Sequence, residues 1–504
     1  MVKQGFNPYL PSWEYIPDGE PHVFGDRVYV YGSHDRAKGT GFCQGDYVCW
    51  SASITNLKEW RYEGIIYKRT QDPVYDGNMV MYAPDVTKGP DKRYYLYYVF
   101  DKLKIISVAV CSSPAGEYEF YGYVHYKDGT KLGERKGDLR QFDPGLLTEG
   151  DQTYLYTGFQ QFGAMVTILG RDMLTIEQEP MVFLPQGDYT FTKGKLTALL
   201  NEKVKELECP YKMVNLDNWA GYKGYGFFEA SSIRKIEDTY YYIYSCKPEN
   251  NELVYATSKS PTDGFIFRGV IVSNSDLNID TYKPAEMKSH CGGNNHGSIE
   301  KINGEWYIFY HRHTNGGSYS RQGCAEKIKI EENGEILQVE ITSCGLNGGP
   351  LLGKGEYPAY IACHLFNVQS DGSIQPRKQV LKITQDGEDG DDGTPIGGVE
   401  NAELTSYVTG IQNNDVIGLK YFDFKDIKKV SVKVRSTLNG YFEVKTKWDG
   451  EVFGKIKVNC SSDSWEEYSA EAAIPNGVSA FYLKFIQTSE EKAEKGELRS
   501  ITFE

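Results

Sequence analysis

The segment RVYVYGS at residues 27–33 is a short run of β-branched and aromatic residues, and the chain repeats this pattern four more times. The other copies are RYYLYYVF at 93–100, TYLYTGF at 153–159, TYYYIYS at 239–245 and EWYIFYH at 305–311. Each copy follows a turn rich in Gly, Asp or Asn, which is typical of a β-hairpin. Five such units predict the five blades of a β-propeller; a sandwich with similar strands by coincidence is the alternative.

The composition favours an all-β protein with more than one domain. A chain of 504 residues is long for a single domain, and hydrophobic residues make up 40% of it, enough for substantial cores. Tyr is abundant, and no long amphipathic helical pattern occurs. The net charge of -14 argues against nucleic acid as a partner, because phosphate binding needs clustered Lys and Arg.

Membrane and secretory features are missing from the sequence. No apolar run approaches the length of a bilayer span, so we expect no membrane partner. The first residues, MVKQGFNPYL, lack the apolar core of a secretory signal, which favours a cytoplasmic location. A secreted protein whose signal had been removed would have the same sequence. The ten cysteines contain no CxxC pair and predict reduced, buried thiols.

An ionisable residue precedes each aromatic strand by about ten residues, a nearly constant offset. These residues are Asp18, Asp85, Asp143, Glu229 and His296. The innermost strand of each propeller blade lies beside the central axis, so equivalent positions at its start converge at one end of the channel. For any one Asp beside Pro or Gly, a simple turn role is the competing interpretation. The repeated offset favours one shared pocket.

Such a pocket suits the hydrolysis of a glycosidic bond, which needs one carboxylic acid to protonate the leaving oxygen and one carboxylate to activate water. Apolar neighbours and a second carboxylate both raise the pKa of a carboxyl group. Glu229 follows Phe227 and Phe228, and is therefore the best candidate for the acid.

The segment NPYLPSWEYIPDGEPHVFGDRVYVYGSHD at 7–35 resembles glycoside hydrolase family 43. So do YAPDV at 82–86, FDPGLL at 142–147, the Glu229 segment and NHGSIEKINGEWYIFYHRHT at 295–314. The resemblance implies an inverting mechanism. It assigns Asp18 as the general base, Asp143 as the residue that orients the acid and tunes its pKa, and Glu229 as the general acid.

Two positions depart from the pattern of that family. Asp18 is followed by Gly19 where Pro is more usual, so Glu20 is a rival for the base. The Gly that usually follows the acid is replaced by Ala230.

Each of the other candidate site residues has a functional and a structural interpretation. Asp85 is either structural or a substrate contact. By resemblance His296 lies near the axis, where some relatives hold calcium through water; it could equally be a satisfied core residue. We expect no required cofactor and leave a structural calcium at His296 optional. Trp13, Phe228 and Tyr319 could stack on sugar rings, and Arg321 could donate to hydroxyls, although ordinary packing explains each of them as well.

The predicted domains are a propeller at 1–383, an acidic Gly-rich linker at 384–395 and a β-sandwich of jelly-roll type at 396–504. GLKYFDF at 418–424, the segment around Trp465 and the closing LRSITFE resemble a family 6 carbohydrate-binding module. The Asn that anchors sugar near the end of such modules is absent here. The aromatic residues available for sugar are Tyr407, Tyr441, Trp448 and Trp465, and a purely structural module is the alternative.

The resemblance thus implies an enzyme that removes terminal or branching α-L-arabinofuranosyl or β-D-xylosyl units from oligosaccharides or polysaccharides of plant origin. Three alternatives remain: a propeller that binds glycans without cutting them, a galactofuranosidase, and a retaining enzyme of the fructan-acting type.

Overall fold

The computed structural model describes residues 4–159, 163–184, 224–246, 252–401, 406–488 and 496–504. It also describes residues 189–192, 195–198, 207–208, 211–213 and 222. The regular structure is almost entirely β-strand. The short 3-10 helices with described bounds are Arg69–Gln71, Gly345–Asn347, Ala359–Ile361 and Val399–Asn401. Within these ranges, no helix has the length and apolar character needed to span a membrane.

Five antiparallel sheets follow one another along the chain, which confirms the predicted propeller. Blade 1 contains Glu20–Phe24, Arg27–Tyr31, Tyr47–Ser53 and Asn56–Tyr67, and blade 2 contains Asp85–Lys88, Tyr94–Tyr98, Ser107–Cys111 and Glu119–Tyr123. Blade 3 contains Gly145–Glu149, Gln152–Gly158, Ala164–Leu169 and Ile176–Leu184, with the short parallel strand Lys212–Met213 at its edge. Blade 4 contains Phe227–Ile236, Thr239–Cys246, Leu253–Ser258 and Ile266–Val272, and blade 5 contains Ile299–Ile302, Glu305–His313 and Arg321–Ile328.

A small separate sheet lies between blades 3 and 4 along the chain. Its strands are Tyr189–Thr192, Lys195–Ala198 and Leu207–Glu208.

The five aromatic segments form the second strand of every blade, as the repeat predicts. Successive side chains of a strand point to opposite faces, so these strands contribute to the cores on both sides of a blade. Tyr97 packs with Leu155 in the core between blades 2 and 3, whereas its neighbour Tyr98 packs with Tyr31 between blades 1 and 2. Large aromatic residues thereby fill the wedge between diverging sheets.

The ring closes where the N-terminal segment meets blade 5. Tyr9 donates its backbone N–H to Gly323 O at 3.2 Å, and Gly19 pairs with Gly297 in a parallel bridge. A Cβ atom at position 297 would lie 1.8 Å from Phe309 O, so only glycine allows this approach. Closure therefore places the start of blade 1 directly beside the start of blade 5.

The C-terminal domain is a β-sandwich of two sheets, as expected, but it starts earlier than predicted. One sheet contains Leu351–Leu352, His364–Val368, Ile374–Gln375, Asp415–Phe424, Leu438–Lys445, Gly454–Cys460 and Gly477–Gln487. The other contains Gly355–Pro358, Lys382–Thr384, Tyr407–Ile411, Lys429–Arg435, Glu466–Glu471 and Gly496–Phe503.

The structure therefore corrects the predicted domain boundary at 383: the sandwich already begins with the strand at residue 351. Strands from 351 to 384 hydrogen-bond to strands of the sandwich rather than to a propeller blade. The predicted linker at 384–395 is the loop that joins two paired strands of one sheet, and it packs on blade 1 instead of spacing two domains.

All four aromatic candidates in the sandwich contact neighbouring side chains, and Lys455 Nζ lies 4.7 Å from the ring centroid of Tyr441. Trp448 packs edge-on against Phe366, with ring centroids 5.8 Å apart. The guanidinium of Arg435 lies 4.7 Å from the ring centroid of Tyr407 and 4.3 Å from that of Trp465. These contacts favour the structural interpretation of the module.

A buried ionic cluster joins the sandwich to the propeller. Lys420 of the sandwich is fully buried, and its Nζ lies 2.9 Å from Asp276 Oδ2 and 2.8 Å from Glu340 Oε2. His364 Nε2 lies 2.9 Å from the same Asp276 oxygen. Burying these charges costs solvation free energy, which the mutual attraction offsets only while every partner is in place.

We expect Lys420→Met to destabilise the protein by about 3–5 kcal/mol, because it leaves buried carboxylates without their cation. The measurement is the midpoint and slope of urea unfolding. Lys429→Met, which breaks the solvent-exposed pair with Glu504, is the matched control and should change little. Equal effects of the two variants would contradict a stabilising role for the buried cluster.

Candidate active site

A cavity of about 370 Å³ opens at the end of the propeller where the innermost strands begin. Asp18, Asp143 and Glu229, which are far apart in the sequence, all line it. His296, Phe228 and Arg321 line it as well, so six of the nine predicted site residues meet in one place. The volume lies within the range of about 300–1,000 Å³ that is usual for small-molecule sites.

Asp18 is held as a charged carboxylate. Arg321 Nη1 donates to Asp18 Oδ1 at 3.0 Å, and the same guanidinium makes a two-point contact with Asp35, at 2.8 and 3.0 Å. Burial alone would raise the pKa of Asp18, but the charge of Arg321, with a contribution from His296, outweighs burial and lowers it to about 2.

The ring of His311 holds the backbone of Asp18 in place, and its hydrogen bonds define its own protonation state. The backbone N–H of Asp18 donates to His311 Nδ1 at 3.2 Å, so that nitrogen must be unprotonated. The other ring nitrogen lies 2.7 Å from Asn294 O and carries the proton as donor. Burial lowers the pKa of His311 to about 3, which agrees with a neutral ring.

The pKa values of Asp143 and Glu229 are both raised, to about 7 and about 8, so Asp143 ionises first and Glu229 keeps its proton longer. Burial raises the pKa of Glu229, and the nearby charges of Asp143 and Asp18 raise it further. The pKa of Asp143 is also raised by burial and by Asp18, although the charge of His296 opposes this shift. The pocket thus combines one ionised carboxylate with carboxyls that can carry a proton near neutral pH.

Ala230 links these two carboxyls through the backbone. Its N–H donates to Asp143 Oδ2 at 3.0 Å, directly after the Glu229 peptide. The residue has φ of 68°, a left-handed conformation that favours glycine. This explains the usual Gly at the position and shows that Ala230 adopts the same backbone at a conformational cost. Asp18 and Asp143 are also left-handed, with φ of 57° and 44°.

His296 lies on the axis between two acidic residues. Its Nε2 is 3.7 Å from Glu20 Oε1, and its Nδ1 is 3.8 Å from Asp143 Oδ2. Burial alone would lower the pKa of His296, but these carboxylates raise it to about 9, so the imidazole carries a positive charge.

The residues around the axis do not fit a calcium site. Calcium takes about six to eight oxygen ligands, whereas His296 offers ring nitrogens, and the described carboxylates within 4.0 Å of the ring are those of Glu20 and Asp143. Ligand atoms of Glu20, His22 and Asp85 lie within 4.8 Å of one another, but His22 Nε2 bonds directly to Asp85 Oδ1 at 2.7 Å. Arg234 already supplies a positive charge to Glu20, at 3.1 Å.

The remaining predicted residues lie outside the cavity wall. Trp13 is buried and packs on Trp50, with ring centroids 5.8 Å apart, so it belongs to the core rather than to a sugar platform. Asp85 is fully buried and accepts the backbone N–H of Leu146, which favours the structural interpretation. Tyr319 contacts the wall residue Phe42 edge-on, with ring centroids 4.7 Å apart.

The rival base Glu20 is also excluded from the cavity wall. Its carboxylate is fully buried and accepts hydrogen bonds from Ser232 and Arg234, both at 3.1 Å. Glu20 thus joins blades 1 and 4 below the site.

Several wall residues have no counterpart among the predicted ones. These are Phe42, Cys43, Tyr82, Ala83, Asp101, Arg140, Phe142, Phe159 and Asn294. Tyr82 and Phe142 lie close in sequence to the repeated acids Asp85 and Asp143. Phe42, Asp101 and Arg140 come from loops between strands, where no repeat marks them.

The cavity therefore has the carboxyl groups that acid–base hydrolysis of a glycosidic bond needs, and comparison with known proteins agrees. Residues 17–336 match the profile of Glycosyl hydrolases family 43. A xylosidase/arabinosidase of Thermoclostridium stercorarium is 56% identical over 497 residues, which covers 96% of this chain and 97% of the relative.

More distant relatives include a xylosidase/arabinosidase of Bacteroides ovatus, 26% identical over 66% of this chain and 97% of its own length. An arabinoxylan arabinofuranohydrolase of Paenibacillus polymyxa is 23% identical over 96% of this chain and 70% of its own length. The chain is a glycosidase and belongs to Glycosyl hydrolases family 43.

We expect Ala230→Val to destabilise the protein by about 2 kcal/mol or more and to lower activity, because a β-branched residue is strongly disfavoured at positive φ. Ala230→Gly, the control, should fold and hydrolyse normally. Thermal unfolding and the rate with an aryl glycoside measure both effects. Normal stability and activity of the valine variant would contradict the strained geometry.

Proposed function

We propose that the enzyme hydrolyses α-L-arabinofuranosides and β-D-xylosides with inversion at the anomeric carbon, and that it needs no metal. The observation that carries the proposal is the opposite electrostatic environment of two carboxyls in one cavity. Arg321 keeps Asp18 ionised, whereas burial and neighbouring charges favour the protonated form of Glu229. A propeller that only binds glycans has no use for a protonated carboxyl group. The name of the 56% identical relative supports the two substrate classes.

In the proposed mechanism, Asp18 accepts a proton from a water molecule as that water attacks the anomeric carbon. Glu229 donates its proton to the glycosidic oxygen as the bond to the leaving group breaks. Asp143 does not exchange a proton with substrate. Its contact with the Ala230 N–H positions it next to Glu229, where its charge favours the protonated acid.

Phe42, Tyr82 and Phe228 supply apolar surface in the cavity wall, which suits the C–H faces of a sugar ring. Arg321 also lines the cavity, but its guanidinium already donates to Asp18, Asp35 and Cys43, so its part in the reaction is to hold Asp18 charged. The natural substrate would be a terminal or branching sugar of a plant oligosaccharide or polysaccharide.

We expect the enzyme to cleave aryl α-L-arabinofuranosides and β-D-xylosides and to leave aryl galactofuranosides almost uncut. NMR of the first product should show inverted anomeric configuration. Retention would overturn the assignment of Asp18 as a base, and preferred cleavage of galactofuranosides would overturn the substrate proposal.

Glu229→Gln is the variant that tests the acid in the same assay. It should lose about 10²–10⁴-fold in rate with a poor leaving group, because protonation of the leaving oxygen is worth that much. The loss should be small with a dinitrophenyl leaving group, which departs without protonation. Asp18→Asn, the comparison variant, should lose activity with both substrates.

Asp143→Asn tests the electrostatic role of that residue. The hydrolysis rate falls at high pH when Glu229 loses its proton, and the negative charge of Asp143 raises the pKa of Glu229. Removing this charge should therefore lower the pKa of Glu229 and move the alkaline limb of the kcat/KM profile to lower pH. An unmoved limb would show that Asp143 does not tune the acid.

A further inference from the structure

One wall of the cavity is a loop that the sandwich domain holds in place. Residues 36–46, here called the Phe42 loop, connect two strands of blade 1 and contribute Phe42 and Cys43 to the wall. The guanidinium of Arg321 lies 4.9 Å from the ring centroid of Phe42, and its Nη2 is 3.4 Å from Cys43 Sγ. The loop is therefore in contact with the residue that keeps Asp18 charged.

Within the propeller, the Phe42 loop has anchors in its middle and near both ends: Arg69 donates to Gln44 O at 2.7 Å and to Asp46 Oδ1 at 2.8 Å, and Ser320 Oγ donates to Arg36 O at 2.8 Å. The backbone N–H of Cys43 donates to Asp35 Oδ1 at 2.9 Å, and the backbone N–H of Gly39 donates to Ser320 Oγ at 3.1 Å. The sandwich loop 385–398 adds further contacts at the start and at the end of the Phe42 loop.

Asp389 of the sandwich loop makes the contact at the start. Its Oδ2 accepts the backbone N–H of Ala37 in a short hydrogen bond, and its backbone O accepts Arg36 Nη2 at 2.7 Å. The side chain is buried, with 4% of its surface exposed. A buried backbone N–H without an acceptor costs free energy, so Ala37 depends on this carboxylate.

The end of the Phe42 loop is held by backbone. The N–H of Asp46 donates to Asp392 O at 2.8 Å. Gly45 and Gly393 enclose the ring of His34, which in turn bonds Asp46 O at 2.7 Å. A Cβ atom at Gly393 would lie 2.7 Å from the His34 ring, so the two loops are in direct contact at this point.

We propose that Asp389 is a positioning residue for hydrolysis: the sandwich domain, through Asp389, fixes the Phe42 loop and thereby the sugar-binding wall of the propeller. The sandwich is on this basis a structural part of the active site. The inference rests on the proposed function only in taking Phe42 and Arg321 as neighbours of the bound sugar.

The test uses the full chain and compares Asp389→Ala, Asp389→Asn and Asp391→Ala. Asp389→Ala removes the acceptor for Ala37, whereas Asp389→Asn keeps a side-chain oxygen that can accept. Asp391 lies in the same sandwich loop, but its carboxylate is fully solvent-exposed and touches only Arg36, at 3.3 Å. It is the matched control.

Hydrogen exchange of peptides within 36–46 gives a readout that does not depend on catalytic assignments. We expect Asp389→Ala to speed exchange in this loop about tenfold or more, with exchange elsewhere in the propeller unchanged. In aryl glycoside assays the same variant should raise KM about tenfold with a smaller change in kcat, because the wall binds the sugar but does not transfer protons. Asp389→Asn and Asp391→Ala should stay near the parent protein in both measurements.

Unchanged exchange and KM in Asp389→Ala would overturn the proposal. So would faster exchange throughout the propeller with a matching fall in Tm, since Asp389 would then stabilise the whole protein and not the loop. If instead Glu229→Gln kept full activity while Asp389→Ala behaved as expected, the proposed acid would be wrong and the positioning role of Asp389 would remain.

Discussion

The buried guanidinium of Arg321 is the interaction on which the site depends. Arg321 belongs to blade 5, and its two partners, Asp18 and Asp35, belong to the chain that enters and leaves the first hairpin of blade 1. One side chain therefore joins the last blade to the first and sets the charge of a carboxylate in the cavity. A closed ring is required for this contact, so the stability of the propeller and the chemistry of its axis have a common origin.

The cavity separates charges in a way that water would not permit. Asp18 is stabilised as an anion by a cation that is itself buried, while burial and the charges of Asp143 and Asp18 favour the protonated form of Glu229 against the opposing charges of His296 and Arg321. Because water is largely excluded, neighbouring charges act more strongly than they would at the surface. Backbone geometry maintains the arrangement: two of the acids and Ala230 are left-handed, a conformation that the surrounding fold must impose.

The repeated aromatic strands were sufficient to predict the propeller. They were also sufficient to predict that the acids meet at one end of its axis. They were sufficient because hairpin spacing and strand equivalence are local properties of the sequence. Trp13 and Tyr319 were misplaced because an aromatic residue has the same appearance in a core and in a sugar site. Phe42 and Arg140 were missed because loop residues follow no repeat. The boundary at 383 was wrong because composition identifies strands at 351–384 but does not say which sheet they join.

The contact between propeller and sandwich bears on how such proteins can be recombined. The buried cluster includes Lys420 from the sandwich and Asp276 and Glu340 from the propeller. If either domain faced water or an unrelated partner instead, these charged groups would be exposed or would lose the group of opposite charge. A chimaera in which only one domain was exchanged would need the new domain to carry the matching charged residues of this cluster. In this chain the two domains would have to be exchanged together, and substitutions of residues in the buried cluster around Lys420 are expected to occur in matched pairs across the two domains.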